Sequence, residues 1–385
     1  MRTFFCCVSS FVVAAFFPTP TVGQFQVAVG GVMTTNFVNS DEAESSLRYN
    51  NGLAGFELIG NLFVNIRISD DVTAFVEVES WRGWEVRLYN AAFTYQISGP
   101  RLQVEAGKFA APFGNFLPRR FAPQNFVYSY PLYNEYRTGL ATDNIPADHA
   151  ALLGGRGKNF TGTGLMMMAR NAYLTGVQFF GQLGVAGYHL GLANGALSNP
   201  SNMSENKRPM WFGRVHVQPL IGLKFGASLA NGGYLNSILL KNSQPHVQPE
   251  KYDQTLAGVD VEYSRGYLVF YGEGLFSRWQ SPLIRDDLAA VAWSAEMRYK
   301  ILPRLFLAAR YGRINFSAIA DPADIDADGQ LTAPWEFPVW RLEPAVGYHL
   351  SRHALLKAAW QINRTTRPAG DPADDLAAIQ MTVFY

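Results

Sequence analysis

The amino-acid sequence predicts an all-β protein: a transmembrane antiparallel β-barrel of about 16 strands. Three observations lead there. The chain reads in period-two segments almost throughout, with hardly a helical period among them. The connections between segments alternate in length, as in barrels that have short periplasmic turns and long extracellular loops. Aromatics are 14% of the residues and charges only 16%, a balance that suits a wall facing lipid.

The first residues, MRTFFCCVSSFVVAAFFPTPTVG, carry an early positive charge at Arg2, an apolar run from Phe4 to Phe17 and small residues near Gly23. This is the pattern of a secretory signal peptide, residues 1–23, cleaved before Gln24. Phe4 to Phe17 is short for an uncleaved membrane anchor. Cys6 and Cys7 lie inside it and are the only cysteines, so residues 24–385 are expected to form a single barrel domain without disulfides or thiol chemistry. With 32 basic and 31 acidic residues, no global charge recruits nucleic acid. No later segment approaches the run of about 18 apolar residues that marks a transmembrane helix.

The strands follow in order. Phe56, Leu58, Leu62, Val64 and Ile66 alternate with Glu57, Asn61, Asn65 and Arg67. After a turn at Ser69-Asp70-Asp71, Val72, Ala74, Val76 and Val78 alternate with Thr73, Phe75, Glu77 and Glu79. Val291, Trp293, Met297 and Tyr299 oppose Ser294, Glu296, Arg298 and Lys300, and Trp340, Leu342 and Tyr348 oppose Arg341, Glu343 and His349. Strands of a soluble sandwich alternate too, but many segments here reach about ten to fourteen residues, near the length of a tilted membrane strand and above the globular norm. The count runs 24–37, 52–68, 72–82, 85–98, 102–109, 171–183, 186–194, 209–217, 222–231, 253–263, 267–279, 288–300, 304–316, 339–350, 354–364 and 375–385. The segment 85–98 is the least regular, and the long loop leaves room for another pair, which would make eighteen.

Short turns at 69–71, 98–101, 184–185, 219–222, 264–266, 301–303 and 350–353 alternate with longer loops near 39–51, 110–170, 194–208, 232–252, 280–287, 317–337 and 365–373. A tight link near Gly83 is the exception. The chain ends LAAIQMTVFY, with Ala377, Ile379, Met381, Val383 and Tyr385 on one apolar face. It resembles the C-terminal strand that outer-membrane proteins present to the barrel assembly machinery. The expected location is therefore the bacterial outer membrane, among its lipids and lipopolysaccharide.

Parity places Glu57, Glu77, Glu79, Glu105, Asp260, Glu262, Glu273, Glu296 and Glu343 on the inward face, with Arg67, Arg101, Arg214, Lys224, Arg298, Lys300, Arg310, Arg341 and Lys357. A dry core would have to pair nearly all of them; a water-filled lumen carries them readily, and sixteen to eighteen strands leave room for one. The loop 110–170, the third of the series, holds nine aromatics and five prolines, too apolar for disorder and too long to be idle. It is expected to fold inward and narrow the pore. Its Arg119, Arg120, Arg137, Arg156, Lys158 and Arg170 outnumber Glu135, Asp143 and Asp148, and a basic constriction favours anions. Arg119 and Arg120 are the first candidates for that constriction, then Arg137, with Glu135, Glu105 and Arg101 near them. The competing expectation is that these arginines pin the loop to wall carboxylates such as Glu105.

VEAGKFAAPFGNF at Val104–Phe116, ahead of the long loop, resembles the GKF…PFG segment of the phosphate-selective porins O and P and their relatives. YLTGVQFFGQL followed by GYHLGLANG is similar to the same family. The resemblance implies a sixteen-stranded, trimeric, passive channel for small anions. The family's phosphate-specific members line the pore with an arginine ladder and a lysine cluster. The inward set here is mixed, so fold and channel role carry over but phosphate specificity does not.

Two other chemistries have partial signals in the sequence. Asp324, Asp326 and Asp328 before Gly329 match the opening of a Ca2+ loop, but the glutamate comes at Glu336, one position late, and a solvated acidic loop is preferred. The six histidines show no metal-ligand spacing, and His149 beside Asp148 does not make a dyad on extended chain. No enzyme and no cofactor is expected. The sequence reads as a porin for small hydrophilic solutes with a mild preference for anions; the alternative is a closed barrel acting as a structural protein, adhesin or receptor.

Overall fold

Alternating segments can satisfy their backbone in lipid only by pairing sideways into a closed ring, and this is what the chain does. The computed structural model describes residues 25–40, 47, 55–81, 85–157, 164–200, 208–236, 238, 240, 244, 246–372 and 374–385. Among these, sixteen strands close one antiparallel barrel. They are β1 (Gln26–Ser40), β2 (Gly55–Arg67), β3 (Val72–Trp81), β4 (Glu85–Gln96), β5 (Gln103–Ala110), β6 (Tyr173–Leu183), β7 (Ala186–Ala193), β8 (Met210–Leu220), β9 (Leu223–Gly233), β10 (Asp253–Arg265), β11 (Leu268–Trp279), β12 (Leu288–Lys300), β13 (Leu305–Phe316), β16 (Val339–His349), β17 (Ala354–Thr365) and β18 (Leu376–Phe384). A hairpin of β14 (Ala318–Ala320) and β15 (Thr332–Pro334) stands apart in the loop after β13. The number is sixteen, not eighteen, because the described part of the long loop adds nothing to the wall. The expected signal peptide and the link at 82–84 lie outside the described residues.

Each strand pairs with its neighbours in sequence, and β1 closes the ring on β18 from Val32↔Phe384 to Ser40↔Leu376. Tyr385 completes the seam, its N–H donating to the Gly31 carbonyl at 3.0 Å and its carbonyl accepting from Gly31 at 3.1 Å. The two faces separate as the period requires. Val215 and Val259 point outward, 60% and 64% exposed, while Arg214 and Asp260 beside them point inward and are each 6% exposed. The irregular segment 85–98 has a local cause: a bulge shifts the β3–β4 register between Glu77↔Asn90 and Val78↔Leu88, leaving Tyr89 unpaired in the ladder. The Tyr89 ring is buried and stacks on Tyr173 at 5.1 Å.

The inward face is not uniformly charged. At the extracellular ends of β6–β13 it is apolar: Leu174, Met210, Phe212, Leu256, Trp279, Leu288 and Ile314 are buried. They form one cluster with loop residues Phe113, Leu117, Leu132, Tyr133, Leu152 and Met167. The luminal charges come nearer the middle and periplasmic end of the strands. A short helix α1 (His149–Gly154), capped by Asp148 through Ala151 N–H at 2.8 Å, lies in this loop.

Candidate functional site

The loop after β5 folds into the lumen, and the GKFAAPFG stretch shows how it is aimed. Gly107 packs against β4 so closely that a β-carbon would lie 2.3 Å from the Ala91 carbonyl oxygen. Beyond Pro112, the Phe113 ring lies over Gly258 of β10, so the chain has left its own strand and reached the wall five strands away within a few residues. Gly114, at φ +65°, sits against Glu273, whose Oε1 would be 2.1 Å from an added β-carbon. A side chain there meets both backbone strain and a steric block. Asn115 N–H then donates to Glu273 Oε1 at 2.6 Å, and the Tyr133 hydroxyl donates to the other carboxylate oxygen.

Arg119 and Arg120, adjacent in sequence, reach opposite walls. Arg119 pairs with Glu296 of β12 at 2.8 Å, its guanidinium 3.8 Å from the Tyr271 ring centroid. Arg120 pairs with Glu77 and with Glu79 of β3, and its Nε donates to the Tyr173 hydroxyl at 3.0 Å. Both side chains are buried. The pair braces the loop across the barrel; it does not present a bare basic ring. The carboxylates that hold it are Glu77, Glu79 and Glu296, whereas Glu105 accepts from Gln178 of β6.

The loop's far end is held as firmly. Lys357 of β17 is fully buried, and its Nζ donates to the carbonyls of Ala122, Asn125 and Val127 at 2.9, 2.7 and 3.0 Å. Glu343 accepts from the N–H groups of Tyr128 and Ser129 at 3.0 and 2.9 Å. Arg310 donates to the Ser129 carbonyl and to Asn125 Oδ1 while pairing with Glu296. Phe126 and Val127 pack against Phe306, Leu355 and Ala359 near the periplasmic ends of β13 and β17. Glu135 pairs with Arg341 at 2.5 Å and Arg170 at 3.5 Å. Burial would raise its carboxyl, but the two guanidiniums outweigh that and hold it below the usual range.

The other sequence-predicted residues fall in different places. Arg101 is exposed in the β4–β5 turn, at the opposite end of β5 from the loop. Arg137 donates to the Gly164 carbonyl at 3.2 Å and lines a cavity of about 570 Å³ at the extracellular ends of β4–β6. Arg87, Lys108 and Arg170 line it too, with Asp143 the one acid among its lining residues. Sequence reasoning passed over Arg87 and Lys108 as site residues: the bulge at Tyr89 disturbs the period of β4 near Arg87, and Lys108 on β5 has the opposite parity to the inward Glu105.

The aspartates do not assemble as a calcium loop. Asp326 receives two bonds from the buried Arg156, at 2.6 and 3.1 Å. Asp324, itself at φ +46°, accepts from Asp328 and Gly329 N–H, and Asp328 accepts from Gln330 N–H. Among the described residues no group of three potential ligands could hold a metal ion. Glu336 is instead a buried clamp: it accepts from Gly139 N–H at 2.7 Å, Gly157 and Phe337 N–H at 2.9 Å and the Tyr136 hydroxyl at 3.1 Å. His149 pairs with Asp286 at 2.9 Å rather than with Asp148.

No protein-family model and no curated protein matches the chain. Solved structures do match. The outer membrane channel DcaP of Acinetobacter baumannii aligns with a TM-score of 0.60 at 12% identity, covering 96% of this chain and 99% of that one. The anion-selective porin from Comamonas acidovorans aligns at 0.57 and 10% identity, over 94% and 100% of the two chains. The trimer form of OmpT from Vibrio cholerae also aligns at 0.57 and 10%, over 94% and 100%. The chain thus has the fold of a sixteen-stranded outer-membrane porin.

Proposed function

We propose that the protein is a passive diffusion porin for small hydrophilic solutes, mildly preferring anions. The observation that carries this reading is the loop's attachment. Its ionic anchors lie on β3, β11–β13, β16 and β17, while His189, His216, Lys224 and Glu262 on β7–β10 face inward and stay partly exposed. Water has access to that wall. The anion preference is supported by the cavity at the extracellular end, where Arg87, Lys108, Arg137 and Arg170 outnumber Asp143 and the Glu85 and Glu135 that pair with Arg87 and Arg170; a surplus of fixed positive charge raises local anion concentration. Arg119 and Arg120 act on the constriction through the loop's position. The likeness to phosphate-selective porins O and P extends to the loop-aiming segment, and phosphate specificity is not part of this reading. A homotrimer is the expected assembly, and the comparison with OmpT in its trimer form supports it.

The apolar cluster between loop and outer wall favours a second reading, a closed barrel serving as a surface receptor or adhesin. Planar-bilayer recording of the refolded protein separates the two. Steady single-channel conductance with a reversal potential displaced toward the anion in a salt gradient supports the porin. No conductance from a correctly folded barrel discards it in favour of the closed one.

A further inference from the structure

The cavity at the extracellular ends of β4–β6 carries more than positive charge. Its floor includes the stacked rings of Tyr89 and Tyr173 and the side chains of Leu165 and Met166. The described hydrogen bond of the Lys108 ammonium goes to the Leu88 carbonyl at 2.6 Å, leaving two of its three donors. Among the described residues no carboxylate lies within ion-pair distance of it. Ser198 lines the same cavity, is 7% exposed, and its Oγ has no hydrogen-bond partner. Asn171, also lining it, gives its amide N–H to the Tyr89 hydroxyl at 2.8 Å while its Oδ1 is buried without a partner. The cavity thus combines an ammonium with two donors to spare, a hydroxyl that can turn its proton toward an acceptor, and an apolar floor.

We propose that this cavity binds a small organic anion, with its charged head at Lys108, Ser198 on the same cavity's wall, and its apolar body on the Tyr89–Tyr173 floor. The volume of about 570 Å³ falls in the range of small-molecule pockets. An inorganic oxyanion would use the cations and leave the aromatic and aliphatic floor uncovered. Chloride would do so more completely. The site therefore distinguishes anions by their carbon skeleton, ahead of the loop-narrowed part of the lumen. Its meaning as a solute-capture step rests on the channel reading above, but binding itself needs no conduction.

The test is isothermal titration calorimetry of the full, refolded barrel in detergent at low salt, with benzoate as the probe and inorganic phosphate as the competitor. Saturable benzoate binding is expected, weakened about tenfold or more by Lys108→Gln, since charge-assisted hydrogen bonds are of that strength, and severalfold by Ser198→Ala. Arg278→Gln, which removes an exposed pair with Asp287 elsewhere on the rim, is expected to bind as the parent does. Arg87→Gln gives a second reading of the cation cluster if Lys108→Gln fails the heat-shift mobility check for folding. Absence of saturable binding, or binding indifferent to these changes, overturns the site. Phosphate binding as tightly as benzoate overturns the organic-anion assignment. A barrel that binds benzoate but passes no current loses the channel reading and keeps the site; one that conducts without binding does the reverse.

Discussion

Replacing Arg120 with alanine tests the loop brace most directly. In the folded protein the guanidinium is 2% exposed and answers Glu77 and Glu79, two carboxylates on the same face of β3, together with the Tyr173 hydroxyl. Alanine removes the cation and leaves the two acids facing each other across a buried space. Breaking a buried pair from one side costs about 3–5 kcal/mol. The barrel ladder does not depend on this contact, so the penalty falls on the docked position of the loop. Converted to an equilibrium, docking weakens between about a hundredfold and a few thousandfold. The expected readouts are higher, noisier single-channel conductance and new tryptic cleavage after Arg119, which is buried in the parent. The double change Glu77→Gln with Arg120→Met, which takes out charge from both sides, is expected to recover much of the loss. Parental conductance and parental trypsin resistance in Arg120→Ala would refute the brace.

Gly114→Ala is expected to misdirect the loop, because the new β-carbon meets both the φ of +65° and the Glu273 carboxylate; a parental conductance histogram would show that the crossing is not made there. Burial raises the Glu336 carboxyl from an ordinary 4.5 to about 7, against the hydrogen bonds that favour its ionised form. The folded protein then holds that proton more tightly than the unfolded chain. The contribution is complete below pH 4.5 and is lost as pH rises through 7, an effect of about 3 kcal/mol. Urea midpoints measured at pH 5 and 8 are expected to fall with rising pH, and Glu336→Gln to flatten that slope; an unchanged slope refutes the assignment. Val215→Arg places a charge on the lipid face and is expected to cost about 2–4 kcal/mol if the site lies at the bilayer midplane, seen as reduced refolding yield into vesicles.

The wall was legible because lipid outside and polar lumen inside impose a strict period of two. The segment Val291–Lys300 shows the rule, with Val291, Trp293 and Met297 exposed outward and Glu296 buried within. The loop's inward course was legible from its length and apolar content. Its attachments were not, because they depend on where a non-periodic chain crosses space. Pinning to wall carboxylates such as Glu105 was the competing expectation for the arginines; Arg119 and Arg120 are pinned, but by Glu77, Glu79 and Glu296. The same limit applies to Asp326: the D-x-D-x-D-G spacing is present, but a guanidinium 170 positions earlier claims its carboxylate. The apolar packing at the extracellular ends of β6–β13 was not legible for a different reason. There both faces are apolar, as in Leu288-Ala289-Ala290, and period alone does not tell a packed interior from a wet one.

The loop's anchors also set an order of events. Arg120 is answered by β3, which precedes the loop in the chain, while Arg119, Glu135 and the Lys357 cradle need β12, β16 and β17, which follow it. No stretch shorter than Glu77–Lys357 contains all of these attachments. Complete seating of the loop therefore requires nearly the whole wall, from β3 through β17. A ring closed without it would leave Glu77 and Glu79 without their Arg120 partner.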